Sequence, residues 1–138
     1  MDTVQQLHDI SDSDVAAWHD VLATSVARDL PGEPTPTLDH VHSLLTTAGL
    51  DSHHRLWTAT HGDQVIGVAR LRLFDGPGRD HLGQFTIDVR PGHRRRGVGS
   101  LLLEAVVGPE LVQRAYDAAV ERRYLWHEFG DVSLLLRR

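Results

Sequence analysis

The chain has 138 residues, 41% of them apolar and 24% charged, a composition that fits one ordinary globular domain and excludes a disordered or fibrous chain. Fourteen basic residues, all Arg, against 19 acidic ones leave a formal charge of -5, so general attraction to nucleic acid or an anionic membrane is not expected and any anion site must be local. Cysteine is absent, no apolar run approaches a membrane span, and the start MDTVQQLHDI lacks a basic, then apolar, leader, so a cytoplasmic location is expected.

Val4 to Ile10 suits a short first strand. Ser11 to Asp14 then offer side-chain acceptors for a helix start, and Val15, Trp18, Val21, Leu22 and Val26 recur at helical spacing up to Asp29. The three prolines of residues 30–37 (LPGEPTPT) end that helix. A second helix is expected with Leu38, Val41, Leu44 and Leu45 on one face and Gly49 as a left-handed cap. From Leu56 the period changes to two, Gly62-Asp63 suits a hairpin, and the next strand runs from Gln64 to about Phe74. After the turn DGPGRD, residues 75–80, Phe85, Ile87 and Val89 alternate with polar neighbours in a third antiparallel strand. Helical spacing returns at Val98, with Leu101, Leu102, Ala105 and Val106 on one stripe until Gly108-Pro109.

The order is therefore βααβββα. It predicts an α+β domain, residues 1–138, with a mixed, mostly antiparallel sheet flanked by helices. Beyond Gly108-Pro109, Leu111, Ala115, Ala118, Leu125 and Phe129 keep helical spacing, and only Val132 to Leu136 (VSLLL) reads as a strand. VSLLL either fills an open sheet edge within the chain or pairs with a second copy, so a homodimer or a second domain is the expected alternative.

The most informative segment is TIDVRPGHRRRGVGSLLLEAV, residues 86–106, in which Pro91 ends a strand and a helix starts near Gly97. The first amides of such a helix and the positive end of its dipole favour a phosphate group. Gly97 and Gly99 lack side chains, so backbone can approach a pyrophosphate closely, and Arg94, Arg95 and Arg96 add positive charge at its rim. A Walker loop is excluded because the chain has no Lys. Neither His40 with His42 nor His53 with His54 has metal-ligand spacing on one helical face, so no metal is expected.

Arg94, Gly97 and Gly99, preceded by Val89-Arg90-Pro91 and set in the order βααβββα, resemble the signature of the GNAT superfamily of acetyl-CoA-dependent N-acyltransferases. The resemblance covers about three quarters of the chain, and residues 108–138 match it poorly. It implies acetyl-CoA as co-substrate, a primary amine of a small molecule or peptide as acceptor, and direct attack of that amine on the thioester. It further implies that Ile87, Asp88 and Val89 pair with the pantetheine arm and that the pyrophosphate lies on Arg94, Arg95, Arg96, Gly97, Val98, Gly99 and Ser100.

Two catalytic candidates follow from the same resemblance. Asp88, on the polar face of the cofactor strand, is the candidate base, and Tyr124, followed by Phe129 and Gly130, the candidate acid for the leaving thiolate. Asp29, Glu33 and Asp39 are further acidic groups that could attract a cationic amine. A non-catalytic acyl-CoA-binding or regulatory module, or part of a longer acyltransferase, is the competing expectation.

Overall fold

The structure, a computed structural model, describes residues 2–47, 49, 51–76, 78, 82–108 and 132–137. Its elements run β1 (Asp2–Leu7), α1 (Asp12–Asp29), α2 (Leu38–Thr46), β2 (Ser52–His61), β3 (Gln64–Phe74), β4 (Leu82–Val89), a 3-10 turn (Pro91–His93), α3 (Val98–Val107) and β5 (Val132–Arg137). The strands lie side by side in sequence order, and each of the four pairings is antiparallel. An α+β fold with an antiparallel sheet between helices is thus what the periodicity predicts.

Each helix starts on the chemistry expected of it. Ser11 caps α1 through a reciprocal pair, its hydroxyl accepting from the Asp14 amide and the Asp14 carboxylate accepting from the Ser11 amide. Thr37, the last residue of the proline-rich loop, caps α2 by accepting from the His40 amide. The loop itself is tied back to α1, where His19 Nε2 lies 2.9 Å from the Pro36 carbonyl.

The sheet separates two apolar layers. On one face Phe85, Ile87 and Val89 of β4 pack with Val98, Leu102 and Leu103 of α3. On the other, Val15, Trp18 and Val21 of α1 and Val41 and Leu45 of α2 cover Leu56 and Val68. Gly67 of β3 makes the first layer close-packed, because a Cβ there would stand 3.0 Å from both Val98 Cγ1 and Leu102 Cδ1.

Several expectations shift. The first strand starts and ends earlier, at Asp2 and Leu7, and β2 already begins at Ser52. α2 stops at Thr46 with an extended Thr47 as its cap, so Gly49 is not a left-handed cap. Leu38, at the first turn of α2, is 53% exposed rather than facing the core. On α3 the inward stripe is Val98, Leu102, Leu103 and Val106, while Leu101 and Ala105 point outward, because the helix sits rotated by about one position from the expected stripe. The VSLLL segment pairs within the chain, from Leu82↔Arg137 to Ile87↔Val132, so the β4 edge is filled over 82–87 without a second copy. The helical spacing noted between 111 and 129 falls outside the described residues.

Candidate functional site

Among the described residues, β4 continues for two residues beyond its last pair with β5. Ile87 opposes Val132, whereas Asp88 and Val89 continue beyond it, paired on their other side with Val68 and Gly67 of β3. The chain then bends through the 3-10 turn, and Gly97 precedes α3 as its N-cap residue without a side-chain hydrogen bond. Two residues of the connecting loop are left-handed: Arg95 at φ 63° and Gly97 at φ 86°. Alternation of left-handed residues with ordinary ones turns successive amides toward one side and makes an anion-binding concavity. A Cβ built on Gly97 meets no protein atom within 4 Å, so what demands glycine there is φ and the space above the loop, not a neighbouring side chain. Gly99 and Val98 are buried at the start of α3, Ser100 is partly buried, and Arg95 and Arg96 are exposed at the rim.

Arg94 departs from the expectation of a rim charge. Its side chain is 8% exposed, and both terminal nitrogens hold the Asp29 carboxylate at 2.7 and 2.8 Å while Nε donates to the Val89 carbonyl at 2.9 Å. The guanidinium therefore joins the end of α1, the end of β4 and the glycine loop. Arg90 makes a second clamp, to the Asp20 carboxylate and, at 2.7 Å, to the Val65 carbonyl. Between the two clamps the buried Ser25 hydroxyl lies 3.5 Å from the Val89 carbonyl. Asp29 is accordingly neutralised by Arg94 and does not stand as a loose charge for an amine.

Asp88 also differs from a solvent-facing strand residue: it is 5% exposed, on a strand against which α1 packs. It borders two spaces. One is a groove of about 890 Å³ between α1 and the proline-rich loop, walled by Leu22, Val26, Leu30, Pro34 and Pro36, with His40 at its α2 side. The other, of about 210 Å³, lies deeper between Trp18, Leu44 and Val68 and shares Leu22 and Asp88 with the groove. Arg70, on the same face of β3, borders the deeper space. Burial, then the neighbouring Arg72 charge, pulls the Arg70 guanidinium below its ordinary pKa.

Tyr124, the candidate acid, falls outside the described residues, as do Phe129 and Gly130. The adjacent histidines point apart, as strand neighbours must: His53 Nδ1 lies 3.1 Å from the Asp75 carboxylate, and His54 Nε2 donates to the Leu45 carbonyl at 2.9 Å. Among the described residues no three potential metal ligands gather, and no helix is long and apolar enough to cross a membrane. Reading along the sequence did not single out Arg70 or Ser25. The signal for Arg70 was there, an arginine interrupting the apolar alternation of VIGVARLRLF; for Ser25 it was a small polar residue at a core position of α1.

An antiparallel sheet with α3 on one face, α1 and α2 on the other, and a left-handed loop where the fourth strand meets α3 define an α+β domain with a candidate anion site at the start of a helix. The Acetyltransferase (GNAT) family model matches residues 17–130, and the chain belongs to that family, a family of acyltransferases. It is 30% identical to N-acetyltransferase 8F1 of Rattus norvegicus over 86% of this chain and 48% of that protein. It is also 32% identical, over 79% of this chain and 38% of the relative, to a Sphingopyxis alaskensis protein named S-adenosylmethionine:tRNA ribosyltransferase-isomerase. Among solved structures, the tandem GNAT protein from the clavulanic acid biosynthesis pathway superimposes with a TM-score of 0.60 at 28% identity, over 83% of this chain and 34% of that one. The chain thus spans less than half the length of each of these proteins.

Proposed function

We propose that this chain is a single acetyl-CoA-binding domain that moves an acetyl group from acetyl-CoA to a primary amine by direct attack. The observation that carries the reading is the loop at the start of α3, where left-handed Arg95 and Gly97 curl the backbone at the end of β4. Such a loop suits the pyrophosphate of CoA, with Val98, Gly99 and Ser100 supplying first-turn amides and Arg95 and Arg96 supplying charge at the rim. The pantetheine arm would run as an added strand beside Asp88 and Val89, which lie beyond the described pairs with β5, whereas Ile87 is paired with Val132.

The reaction follows from bringing two reactants together in register. The neutral amine nitrogen attacks the thioester carbon; the C–N bond forms as the C–S bond breaks, and CoA leaves as a thiolate. The amine's proton goes to a base and the thiolate takes one up, so the products are the amide and CoA thiol. Holding both partners in place is the largest part of the acceleration. Asp88 is the base in this scheme: a carboxylate bordering the acceptor groove and sitting on the cofactor strand is within the region where the amine must lose its proton. Tyr124 is the acid for the thiolate, on its match to the family pattern alone.

The test is calorimetric titration with acetyl-CoA, followed by incubation with an amine panel and detection of acetyl transfer by mass. Wild type is expected to bind acetyl-CoA and to transfer its acetyl group. Gly97→Asn, which tolerates the left-handed backbone but fills the space above it, is expected to fold normally and lose at least about tenfold in cofactor affinity, whereas Arg95→Ala loses little. Binding without transfer to any amine would favour a non-catalytic module, and unchanged cofactor affinity in Gly97→Asn would remove the assignment of the loop.

A further inference from the structure

The deeper cavity beside Asp88 combines three chemistries in a small space. Its walls are apolar, from Trp18, Leu22, Leu44 and Val68. One end carries a cation, Arg70, and the other an anion, Asp88. The register fixes their order. Arg70 faces Thr86 across the β3–β4 pair and Val68 faces Asp88, so the two charged side chains share one sheet face, two residues apart along the strands. Two residues along a strand is about 7 Å. Arg70 Nε is buried without a hydrogen-bond partner among the described residues. A buried guanidinium nitrogen left in that state is costly, because it has given up water and gained no acceptor. A ligand that brings an acceptor removes the cost.

A bidentate oxygen acceptor suits a guanidinium best, and a carboxylate is the common biological one. The Asp88 end lies toward the cofactor strand's end and borders the groove that opens outward, so the amine belongs there and the carboxylate at the Arg70 end. The volume of about 210 Å³ is that of roughly seven waters at about 30 Å³ each, room for a solute of amino-acid size and not for a folded peptide segment.

Resting on the acyltransferase reading above, we infer that the acceptor is a free amino acid with an apolar side chain, its carboxylate on Arg70, its amine beside Asp88 and its side chain against Trp18 and Leu44. Arg70 is then the specificity-determining residue: it distinguishes an amino acid from the amine or amide of the same skeleton. Arg72, the next outward arginine on this face, is already engaged with the Ser52 hydroxyl at 3.0 Å and leaves the carboxylate to Arg70.

The full chain, with and without CoA, is titrated calorimetrically with L-valine, L-leucine and L-methionine, each beside its carboxamide and its decarboxylated amine. The expected result is that each amino acid binds about tenfold or more tightly than its two analogues, that Arg70→Gln brings the three within about twofold, and that Arg70→Lys restores part of the preference. Equal or weaker binding of the amino acids, no detectable binding of any of them, or an undiminished preference in Arg70→Gln overturns the inference. Melting curves of both variants verify the fold, and Arg70→Lys keeps the test open if Arg70→Gln does not fold. Titration with acetyl-CoA separates the two readings. Loss of cofactor binding removes the acyltransferase assignment, whereas cofactor binding with no preference for the carboxylate removes only this one.

Discussion

Arg94 occupies the first position of the loop signature, yet its guanidinium turns inward, to Asp29 at the end of α1 and to the carbonyl that ends β4. With Arg94 8% and Asp29 27% exposed, water competes little for these bonds. Arg94→Ala is expected to cost about 2 to 3 kcal/mol, the scale of a charged hydrogen-bond set left with an unpaired partner. Asp29→Asn keeps the shape and should cost less. In the double variant the two losses should fall short of their sum, which chemical denaturation of the four proteins checks. Additive losses would mean that the pair does not act as a unit. Nothing in the local sequence announces this contact, because its partners are 65 residues apart. The glycines of the same loop, by contrast, are legible from backbone geometry alone, Gly97 requiring a left-handed residue where a strand turns into a helix.

At the scale of elements, α3 lies on the sheet at a distance set by Gly67. Its Cβ-less position accepts Val98 and Leu102 directly, and both of those side chains are fully buried. Gly67→Ala must push α3 outward or strain two packed side chains, and is expected to destabilise the protein by about 1 to 3 kcal/mol. Because Val98 is the first residue of α3, the same variant should also weaken cofactor binding, read by acetyl-CoA titration of protein that has remained folded. A neutral effect on stability would show that the layer has slack. Most element boundaries could be read from the chain, as where Gln64 to Phe74 alternates between two turns or where Ser11 closes its reciprocal cap. What could not be read is which polar face is covered. Alternation places Asp88 opposite the apolar side chains of β4, but it does not reveal that Asp88 lies 5% exposed in the folded protein, where α1 packs against β4.

For the molecule as a whole, the covered face also carries His54, whose pKa is lowered first by burial and then by the Arg70 charge. The unfolded chain takes up a proton near the ordinary histidine value of 6.5, while the folded protein resists it until lower pH. The stabilisation is therefore complete above about pH 6.5 and is lost as pH falls toward the depressed folded value. His54→Gln, able to keep the bond to the Leu45 carbonyl, should flatten the dependence of stability on pH between about 7 and 5, as measured by melting at a series of pH values. An unaltered slope in that variant would assign the dependence to other groups.

The two clamps along α1 have a thermodynamic consequence. Asp29 belongs at once to the wall of the outer groove and to the Arg94 contact that fixes the glycine loop, so any shift of α1 is felt in both places. Two ligands that each favour the same position of one helix must help each other, and by equal factors. Acetyl-CoA should tighten acceptor binding by the ratio with which the acceptor tightens acetyl-CoA. Breaking the Asp29–Arg94 contact should bring that ratio toward one even where each ligand, taken singly, still binds. A closed four-sided binding cycle, measured by calorimetry in wild type and in Asp29→Asn, would read this heterotropic linkage directly. In either protein the order in which the two reactants arrive is a matter of rates and leaves the doubly occupied state unchanged.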